Sequence, residues 1–402
     1  MAEQVKVIKL HHIELLCNDI RHRLSQFCDR LGFLVVAEAS NPNRFLVQRN
    51  NVRLVLTECP GVKDTVKDIA LEVENVSYAT EIVAVNGGTV LEFTKVCDDC
   101  YGTVTSSMIR SPCGNVCHSL LNTTKYTGLF LPEFKRSPTQ TYCQLNFNFT
   151  KANNVITHVD HVAIACEKGS MLEIIDWYVK CLGFKRFCLN SSEESDGFTI
   201  ESPVNSASVG LKLTAMEYWR CNEIGIESNK DSHLDGAVKF VLAEALPGQG
   251  SNQIETFLHA HGGPGVQHIG LHTSDIARAV DEWTKAGVSI IPQPREYYNQ
   301  VEKIKEIEQA GKSVNSLMEH NILLDAESID HKSENNQAPT DNSVYLMQVF
   351  TKPLFDQDTF FMELIQRHGA TGFGAGNIQA LWKALDAHHK ALIKENECQV
   401  NR

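Results

Sequence analysis

Apolar residues recur along the chain in two successive patterns. Short apolar segments such as Leu10–Leu15 and Val159–Ile164 have the length and composition of β-strands. Such segments are followed by stretches whose apolar residues lie three and four positions apart, as Ile276, Val280 and Trp283 do. The pattern therefore predicts short strands that lead directly into amphipathic helices.

This unit of strand and helix occurs four times. The first and third units both continue through a helix to a Leu-Gly-Phe triplet, at Leu31–Phe33 and at Leu182–Phe184. The second and fourth units open at Lys67 and Gln267, and their helices end in small turns that contain glycine. Such repetition indicates that each unit is one module of a larger fold. We therefore predict an α+β fold of paired βαβββ modules, in which curved, open, barrel-like sheets carry flanking helices.

The modules group into two predicted domains. The break is expected near Thr150–Ile156, so that residues 1–150 form the N-terminal domain and residues 151–402 the C-terminal domain. The polar stretch Glu327–Ser343 lacks periodicity and is predicted to be a surface loop. Apolar spacing along Asn377–Lys394 predicts a further helix at the C-terminus.

Composition narrows the classes of function. The chain has 402 residues, 43% of them hydrophobic, and a formal net charge of -12, so neither nucleic acid nor an anionic membrane surface is expected as a partner. No apolar run reaches the roughly 20 residues that span a bilayer. The first residues resemble neither a secretory signal nor a mitochondrial presequence, because Glu3 and Asp19 interrupt a weakly basic start. The 13 cysteines are expected to be reduced thiols.

Three polar residues stand at positions that face the interior of predicted strands. Because side chains alternate along a strand, His161, His268 and Glu363 each share a face with small or apolar neighbours. An inward imidazole or carboxylate is costly unless something pairs with it. Two histidines and one carboxylate on equivalent strands offer three ligands on one face of a metal, as in non-haem iron(II) oxygenases. Zinc accepts the same ligands and stays an alternative.

Longer motifs resemble a known family. The segments Gly262–Ile269, Leu346–Pro353 and Glu363–Asn377 resemble C-terminal motifs of the 4-hydroxyphenylpyruvate dioxygenases, and Asp160-His161 matches their first ligand motif. The resemblance covers the C-terminal half almost continuously and the N-terminal half more loosely. In addition, Tyr126–Pro132 and Val241–Gly248 are similar to the dioxygenase-like subgroup of that family.

The resemblance implies a vicinal oxygen chelate fold and a specific chemistry. It implies one Fe(2+) per chain, held by His161, His268 and Glu363, and a reaction of O2 with 4-hydroxyphenylpyruvate or a related aryl pyruvate. It further implies a structural N-terminal domain and a catalytic C-terminal domain whose last helix closes over the site. A mitochondrial location is implied, with the cytoplasm as the alternative, and a role in making the ubiquinone head group from tyrosine. The oligomeric state stays open, with a homodimer among the alternatives.

The resemblance also assigns residues to a substrate pocket. Amide side chains that orient the substrate are matched by Gln253, Gln267 and Gln348. Aromatic walls are matched by Phe350, Phe361 and Phe373, and Asn377 borders the pocket. Each assignment has a plainer alternative, namely surface glutamine, core packing or a helix cap.

Ile378 stands where the ring-hydroxylating members of the family carry Phe. An aliphatic residue at this position accompanies benzylic hydroxylation in related synthases. Because the placement of the aryl ring decides which carbon reacts, Ile378 favours 4-hydroxymandelate over homogentisate as the product. A Ser and Pro/Asn segment that contacts substrate in the dioxygenases has no equivalent in Leu242–Gly248. A non-catalytic protein that kept the fold is a third alternative, disfavoured because all three ligand positions are intact.

Other clusters carry weaker signals. A second metal site stays open at three N-terminal positions roughly equivalent to the ligands: His12, Asp68 and His118. Zinc binding stays open, beside plain thiols, at Cys97, Cys100, Cys113 and Cys117. His158 and His272 flank the ligand strands and are predicted not to be ligands. The charge-dense run Glu302–Glu308 is predicted to be a solvated helix face.

Overall fold

Two mixed sheets form the framework of the protein. The computed structural model describes residues 4–138, 155–187, 198–199, 221–228, 238–246, 253–327, 344–357, 359–378 and 380. Nine strands belong to each sheet in this part of the chain. The predicted fold class is confirmed, since each sheet is built from two modules that start with a strand and a helix.

The first sheet has the strand order β6-β7-β8-β5-β1-β4-β3-β2-β9. Its strands are β1 Val7–Cys17, β2 Leu34–Ala39, β3 Arg44–Arg49, β4 Val52–Glu58, β5 Thr65–Val73, β6 Val90–Asp99, β7 Gly102–Arg110, β8 Cys117–Tyr126 and β9 Lys135–Arg136. Its helices are α1 Ile20–Ser25, which continues into a π-helical turn over Gln26–Arg30, and α2 Val76–Val85.

The second sheet has the order β11-β13-β14-β10-β15-β18-β17-β16, and β12 pairs with β13. Its strands are β10 Ile156–Cys166, β11 Lys185–Phe187, β12 Phe198–Thr199, β13 Cys221–Glu227, β14 Lys239–Ala245, β15 Gly265–Thr273, β16 Leu323–Ala326, β17 Tyr345–Phe350 and β18 Phe361–His368. Its helices are α3 Met171–Leu182, α4 Gln253–His261, α5 Ile276–Lys285, α6 Arg295–Tyr298, α7 Val301–Gln309 and α8 Val314–Glu319.

The two sheets repeat one pairing scheme. In the first sheet, β1 runs parallel to β4 and antiparallel to β5, and β5 runs parallel to β8. In the second sheet, β10, β14, β15 and β18 pair in the same way. Residues that pair on these four strands of the first sheet therefore have equivalents in the second.

Local signals in the sequence explain where the helices begin and end. Asp19, Asn75 and Asp275 cap three helices, because each side chain accepts a hydrogen bond from a backbone N–H of the first turn. Gly183 ends α3 with φ of 69°, a left-handed conformation that favours glycine. Three of the four helix starts of the repeat are therefore encoded locally, whereas Met171 N at the start of α3 donates to the distant Glu244.

One hydrophobic core joins the two sheets. Tyr178 on α3 is fully buried and packs against Phe184 and Phe240 of the second sheet. Its hydroxyl lies 2.8 Å from His118 Nε2 and 3.1 Å from Ser111 Oγ of the first sheet. The strands that carry the candidate ligands are therefore supported from one side by a continuous core.

Three predictions fall wholly or partly outside the described residues. Residues 328–343 and 381–394 lie outside them, as do residues 139–154, so the loop, most of the C-terminal helix and the exact domain bounds stay predictions. Residues 375–378 and 380 are helical, so the last helix begins two residues before the predicted start. Within the described part of the chain, every helix is too short or too polar to cross a membrane.

The charge-dense helix α7 is not exposed to solvent along its whole charged face, although the sequence predicted that it would be. Lys303 and Ile307 lie within this helix and are only 4% and 0% exposed. The stem of Lys303 turns inward because its ammonium donates to Leu324 O at 2.8 Å and pairs with Glu306 Oε2 at 2.8 Å. The prediction for Glu302–Glu308 was therefore wrong at Lys303.

Candidate metal centre

Three adjacent strands bring the predicted ligand side chains together. His161 lies on β10, His268 on β15 and Glu363 on β18, and each is at most 3% exposed. The two Nε2 atoms of the histidines are 3.3 Å apart, and Glu363 Oε2 lies 3.2 Å from His161 Nε2 and 3.3 Å from His268 Nε2. Among the described residues, this is the group of potential metal ligands whose atoms all lie within 4.8 Å of one another.

A glycine makes room for the first histidine. Gly270 lies opposite His161 in the ladder between β10 and β15. A Cβ at this position would collide with the imidazole ring of His161. The imidazole can therefore lie flat across the neighbouring strand only because that strand carries no side chain there.

Two β-bulges let neighbouring residues both take part in the site. The ladder between β10 and β15 shifts register at Asp160, just before His161, and again at Gln267, just before His268. A bulge re-aims side chains that strict alternation would send to opposite faces. As a result, Asp160 and Gln267 contact the ring of the histidine that follows each of them.

These two contacts fix which imidazole nitrogen faces the centre of the site. His161 Nδ1 donates to Asp160 Oδ1 at 2.9 Å, and His268 Nδ1 donates to Gln267 Oε1 at 3.1 Å. Both Nε2 atoms are then directed at Glu363. An outer partner on Nδ1 is the usual arrangement for a histidine that binds metal through Nε2.

Arg367 ties this arrangement to the C-terminal segment. Its guanidinium holds Asp160 with two hydrogen bonds, of 2.7 Å from Nε and 2.8 Å from Nη2. It also donates to Ala370 O at 3.3 Å and lies 5.1 Å from the ring centre of Phe373. The planar fork of arginine suits this two-point contact with a carboxylate. The segment after β18 is therefore connected to His161 through Arg367 and Asp160.

The electrostatics of the site favour a positive charge at its centre. Burial would raise the pKa of Glu363, but the two histidines outweigh it and lower the pKa to about 2. Burial would lower the pKa of His161, but Glu363 and Asp160 outweigh it and raise the pKa to about 9. Burial lowers the pKa of His268. Since Arg367 already pairs with Asp160, the buried Glu363 is the carboxylate that favours a positive charge at the centre.

The aromatic residues predicted as walls lie beside the ligands. Phe361 stacks on His268 with ring centres 4.7 Å apart, and Phe373 contacts His161 edge-on at 4.8 Å. Phe350 packs against Phe361 at 6.1 Å. The structure therefore brings all three predicted aromatic residues to the candidate site.

Some of the predicted amide side chains contact the metal ligands directly, and others do not. Gln348 Nε2 donates to Glu363 Oε1 at 2.9 Å, and Asn377 Nδ2 donates to Gln348 Oε1 at 2.9 Å. Gln267 Nε2 is buried and has no hydrogen-bond acceptor among the described residues. Gln253 starts helix α4 and is partly exposed, and Ile378 is buried directly after Asn377. Gln267 and Gln348 therefore contact the ligands themselves, whereas Asn377 acts through Gln348.

Two residues of this centre, Asp160 and Arg367, were not among the predicted site residues. Asp160 and Arg367 stand inside the family motifs, where charged residues in buried strands could have drawn attention to them.

The weaker clusters are not assembled into sites in the described part of the chain. His118 lies in the core, where Nδ1 is 2.9 Å from Ile69 O, so it does not join His12 and Asp68 in a metal-binding group. The cysteines Cys97, Cys100, Cys113 and Cys117 form no such group there either. His158 and His272 stack on each other at 4.7 Å.

A divalent metal fits the geometry of the three ligands. Bonds of about 2.0–2.2 Å from nitrogen and oxygen to a first-row metal place neighbouring ligand atoms roughly 3 Å apart. The separations in this site, 3.2 and 3.3 Å, match that requirement. A metal would bind both Nε2 atoms and supply the positive charge that the buried Glu363 carboxylate favours.

Comparisons with known proteins identify relatives of this chain. Residues 158–306 match the family model described as Glyoxalase/Bleomycin resistance protein/Dioxygenase superfamily. A 4-hydroxyphenylpyruvate dioxygenase-like protein of Rattus norvegicus is 36% identical over 320 residues, which are 79% of this chain and 76% of that protein. The 4-hydroxyphenylpyruvate dioxygenase of Neurospora crassa is 31% identical over 329 residues, 80% of this chain and 69% of that protein.

A solved structure supports the fold. A triple mutant of 4-hydroxymandelate synthase from Streptomyces coelicolor superposes with a TM-score of 0.71 at 22% identity, covering 96% of this chain and 99% of that one. Likeness at this level of identity concerns the fold, whereas the relatives above share the sequence as well. The chain therefore belongs to the 4-hydroxyphenylpyruvate dioxygenase-like family, which has the vicinal oxygen chelate fold.

Proposed function

We propose that this protein is an iron(II)-dependent dioxygenase that converts 4-hydroxyphenylpyruvate and O2 to 4-hydroxymandelate and CO2. The observation that carries the proposal is the convergence of His161, His268 and Glu363, whose ligand atoms all lie within 4.8 Å of one another. Two histidines and one carboxylate on one face of iron leave its remaining positions open for a 2-oxo acid and O2. When bound, iron would supply the activation of O2 that the chain's own residues lack.

The chain's residues then have the task of binding and orienting the aryl pyruvate. Gln267 Nε2 is a buried donor without an acceptor among the described residues, which costs free energy until an acceptor arrives. A carboxylate or phenol oxygen of the substrate would satisfy it. Phe361 and Phe373, which pack on the two histidines, would exclude water and present aromatic faces to the ring.

Ile378 supports 4-hydroxymandelate as the product. This buried residue follows Asn377, whose side chain contacts Gln348 beside the metal ligands. An aliphatic side chain leaves more room than a phenyl ring, and the substrate ring can turn away from the reactive centre. The benzylic CH2 is then the carbon presented for hydroxylation. The alternative is homogentisate, which needs the ring carbon in that place.

Product analysis tests the proposal directly. The purified protein is reconstituted with Fe(II) and incubated with 4-hydroxyphenylpyruvate in oxygenated buffer, and the products are separated by chromatography. We expect 4-hydroxymandelate and an equal amount of CO2. Homogentisate would support the alternative, and the absence of both products with iron bound would contradict either dioxygenase.

Substitution at Ile378 tests the basis of the product assignment. We expect Ile378→Phe to shift the product toward homogentisate, because the added ring restricts the substrate. Ile378→Val keeps an aliphatic side chain and serves as the control, with an unchanged product ratio. Equal ratios in both variants and the unaltered protein would show that Ile378 does not set the position of the ring.

The place of this reaction in the cell is part of the proposal. Membership of the dioxygenase-like family supports a role in supplying the ubiquinone head group from tyrosine, in the mitochondrion. Fractionation of cells that express the full chain with a C-terminal tag would test the location. Recovery of the protein in the cytoplasmic fraction alone would contradict it.

A further inference from the structure

The two oxygens of Glu363 have different partners. Glu363 Oε2 faces both histidine Nε2 atoms, at 3.2 and 3.3 Å. Glu363 Oε1 instead accepts a hydrogen bond of 2.9 Å from Gln348 Nε2. The carboxylate is therefore oriented so that only one oxygen faces the centre of the site.

The Gln348 carboxamide is itself held at both ends. Its Nε2 donates a second hydrogen bond to Phe373 O at 3.0 Å, and its Oε1 accepts one from Asn377 Nδ2 at 2.9 Å. It also packs against Gly374, where any Cβ would collide with Oε1. If Asn377 did not donate, the carboxamide could turn over and place an oxygen against Glu363, which would repel the carboxylate.

The orientation of Asn377 depends on two residues outside the metal centre. Asn377 Oδ1 accepts from the hydroxyl of Tyr297 at 2.7 Å and lies 3.5 Å from Lys303 Nζ. The Tyr297 hydroxyl also lies 2.9 Å from Leu324 O, but Lys303 Nζ already donates to that carbonyl, so the single hydroxyl proton is available to Asn377 Oδ1. Since Lys303 is a donor as well, the oxygen of the Asn377 amide must face these two residues. Its NH2 group is then directed at Gln348.

Tyr297 and Lys303 are fixed by the fold rather than by solvent. Tyr297 is fully buried and Lys303 is 4% exposed. Both contact the start of β16, because Leu324 N donates to the Tyr297 hydroxyl at 3.0 Å and Lys303 donates to Leu324 O at 2.8 Å. Buried polar groups with this many partners hold one arrangement.

We propose that Tyr297 and Lys303 are positioning residues of the metal centre, which act through Asn377 and Gln348 to hold Glu363 as a one-oxygen ligand. The inference rests on the proposed metal site. A carboxylate that gives one oxygen occupies one coordination position instead of two, so more positions stay open for substrate and O2. Helices α6 and α7 thereby control a ligand that they do not touch.

Tyr298 provides a matched control for this proposal. Its hydroxyl is also buried and donates to a backbone carbonyl, Ile322 O, at 3.0 Å, but it has no contact with Asn377 among the contacts described. Tyr297→Phe and Tyr298→Phe each remove one buried hydroxyl from neighbouring positions. Only the first breaks the chain of hydrogen bonds to Glu363.

The experiment measures Co(II) binding to the full-length apoprotein. We expect Tyr297→Phe to weaken Co(II) binding by roughly 10-fold, the lower end of the effect of residues that orient a ligand. We also expect it to change the visible absorption of bound Co(II), which reports coordination number. Tyr298→Phe is expected to leave both unchanged, and thermal unfolding of the two variants compares their effects on the fold.

Asn377→Asp is a second variant of nearly the same shape. Its carboxylate can accept from Tyr297 but cannot donate to Gln348, so we expect the same spectral change as in Tyr297→Phe. Equal Co(II) affinity and spectra in the unaltered protein and these two variants would overturn the inference and leave the metal site intact, as would equal losses in Tyr297→Phe and Tyr298→Phe. An unaltered protein that binds no Co(II) would overturn the proposed site and this inference with it.

Discussion

The two sheets have the same strand pairing but carry different side chains at the positions of the metal ligands. In the second sheet His161 lies opposite Gly270, and in the first sheet the equivalent ladder places His12 opposite Ala70. Both ladders carry a bulge one residue before these histidines. The backbone geometry around His161 is therefore repeated around His12 in the first sheet.

The first sheet carries other residue types at the positions equivalent to His268 and Glu363. Asp68 pairs with Cys117 as His268 pairs with Phe361, so Asp68 is the equivalent of His268. Glu363 lies two residues after Phe361, and the position two residues after Cys117 is Ser119. The first sheet thus offers a histidine, an aspartate and a serine where the second offers two histidines and a glutamate.

The electrostatics of the two positions differ accordingly. Burial lowers the pKa of His12 well below its ordinary value, whereas Glu363 and Asp160 raise that of His161 to about 9 against burial. Burial raises the pKa of Asp68 to about 7, although the hydrogen bond from Ser119 opposes it. The first sheet favours neutral groups, and the second favours a cation.

An aromatic side chain packs against the histidine of the first sheet, as Phe373 packs against His161 in the second. Phe130 lies with its ring centre 5.2 Å from that of His11 and 5.1 Å from that of His12. It belongs to a small apolar cluster with Phe134 and Val55. We infer that the N-terminal half keeps the framework for packing, since a group of potential metal ligands is found only in the second sheet among the described residues.

The largest effect is expected when a metal ligand of the second sheet is replaced by the residue at the equivalent position of the first sheet. Glu363→Ser introduces the residue found at the equivalent position, Ser119. We expect Co(II) affinity to fall by at least about 100-fold, because the loss of a ligand exceeds the effect of losing a group that only orients one. Isothermal titration of the apoprotein measures the change, together with loss of turnover.

Ser119→Ala is the matched control for that substitution. It alters the equivalent position of the first sheet, and we expect metal affinity and turnover to stay as they are. Retention of full Co(II) affinity in Glu363→Ser would contradict the assignment of the ligands. A large loss in Ser119→Ala would contradict the division of roles between the sheets.

A smaller effect is expected from Asp160, whose equivalent in the first sheet is His11. Asp160→Asn keeps the shape but removes the charge that pairs with Arg367 and orients His161. We expect a loss of Co(II) affinity of roughly 10- to 100-fold. We also expect a loss of about 3 kcal/mol in the free energy of unfolding, because Arg367 is left buried without a counter-charge.

The double variant Asp160→Asn with Arg367→Met separates these two effects. Denaturant unfolding should recover most of the stability, since no unpaired charge remains. The metal affinity should stay low, since His161 still lacks its carboxylate partner. Recovery of both properties would show that Asp160 serves stability alone.

Sequence patterns predicted the parts of this molecule that depend on alternation and repetition. The fold class followed from four modules of strand and helix, and three of the four helices begin at a cap that the local sequence supplies. The inward direction of His161, His268 and Glu363 followed from the alternation of side chains along their strands. Such features depend on local spacing, which a sequence displays directly.

Features that depend on register or on distant contacts could not be predicted in this way. The equivalence of His118 with a ligand failed by one residue, because the pairing of β5 with β8 places Ser119 there instead. The spacing of apolar residues does not indicate the bulges at Asp160 and Gln267. The contact of Arg367 with Asp160 joins residues that are 207 positions apart.

The smallest effect that we predict concerns Asp68. Substitution of this aspartate by Asn is expected to stabilise the protein, whereas the same substitution of Asp160 destabilises it. The pKa of Asp68 rises from 3.8 to about 7 in the folded protein, so the carboxyl loses its proton more readily when unfolded. The unaltered protein therefore loses stability between about pH 4 and pH 7, and the loss is complete above pH 7. Asp68→Asn cannot ionise and avoids this loss, while its Oδ1 can still accept from Ser119 N.

Denaturant unfolding of both proteins at pH 5 and pH 8 measures this difference. A shift of about three pKa units corresponds to at most roughly 4 kcal/mol. We expect about half of that at pH 8, because protein interiors screen charge better than a dry medium does. The gain should be smaller at pH 5, where part of the penalty has not yet developed. A gain of equal size at both pH values, or a loss at pH 8, would mean that Asp68 is held as an ion, and the contrast between the two buried aspartates would then fail.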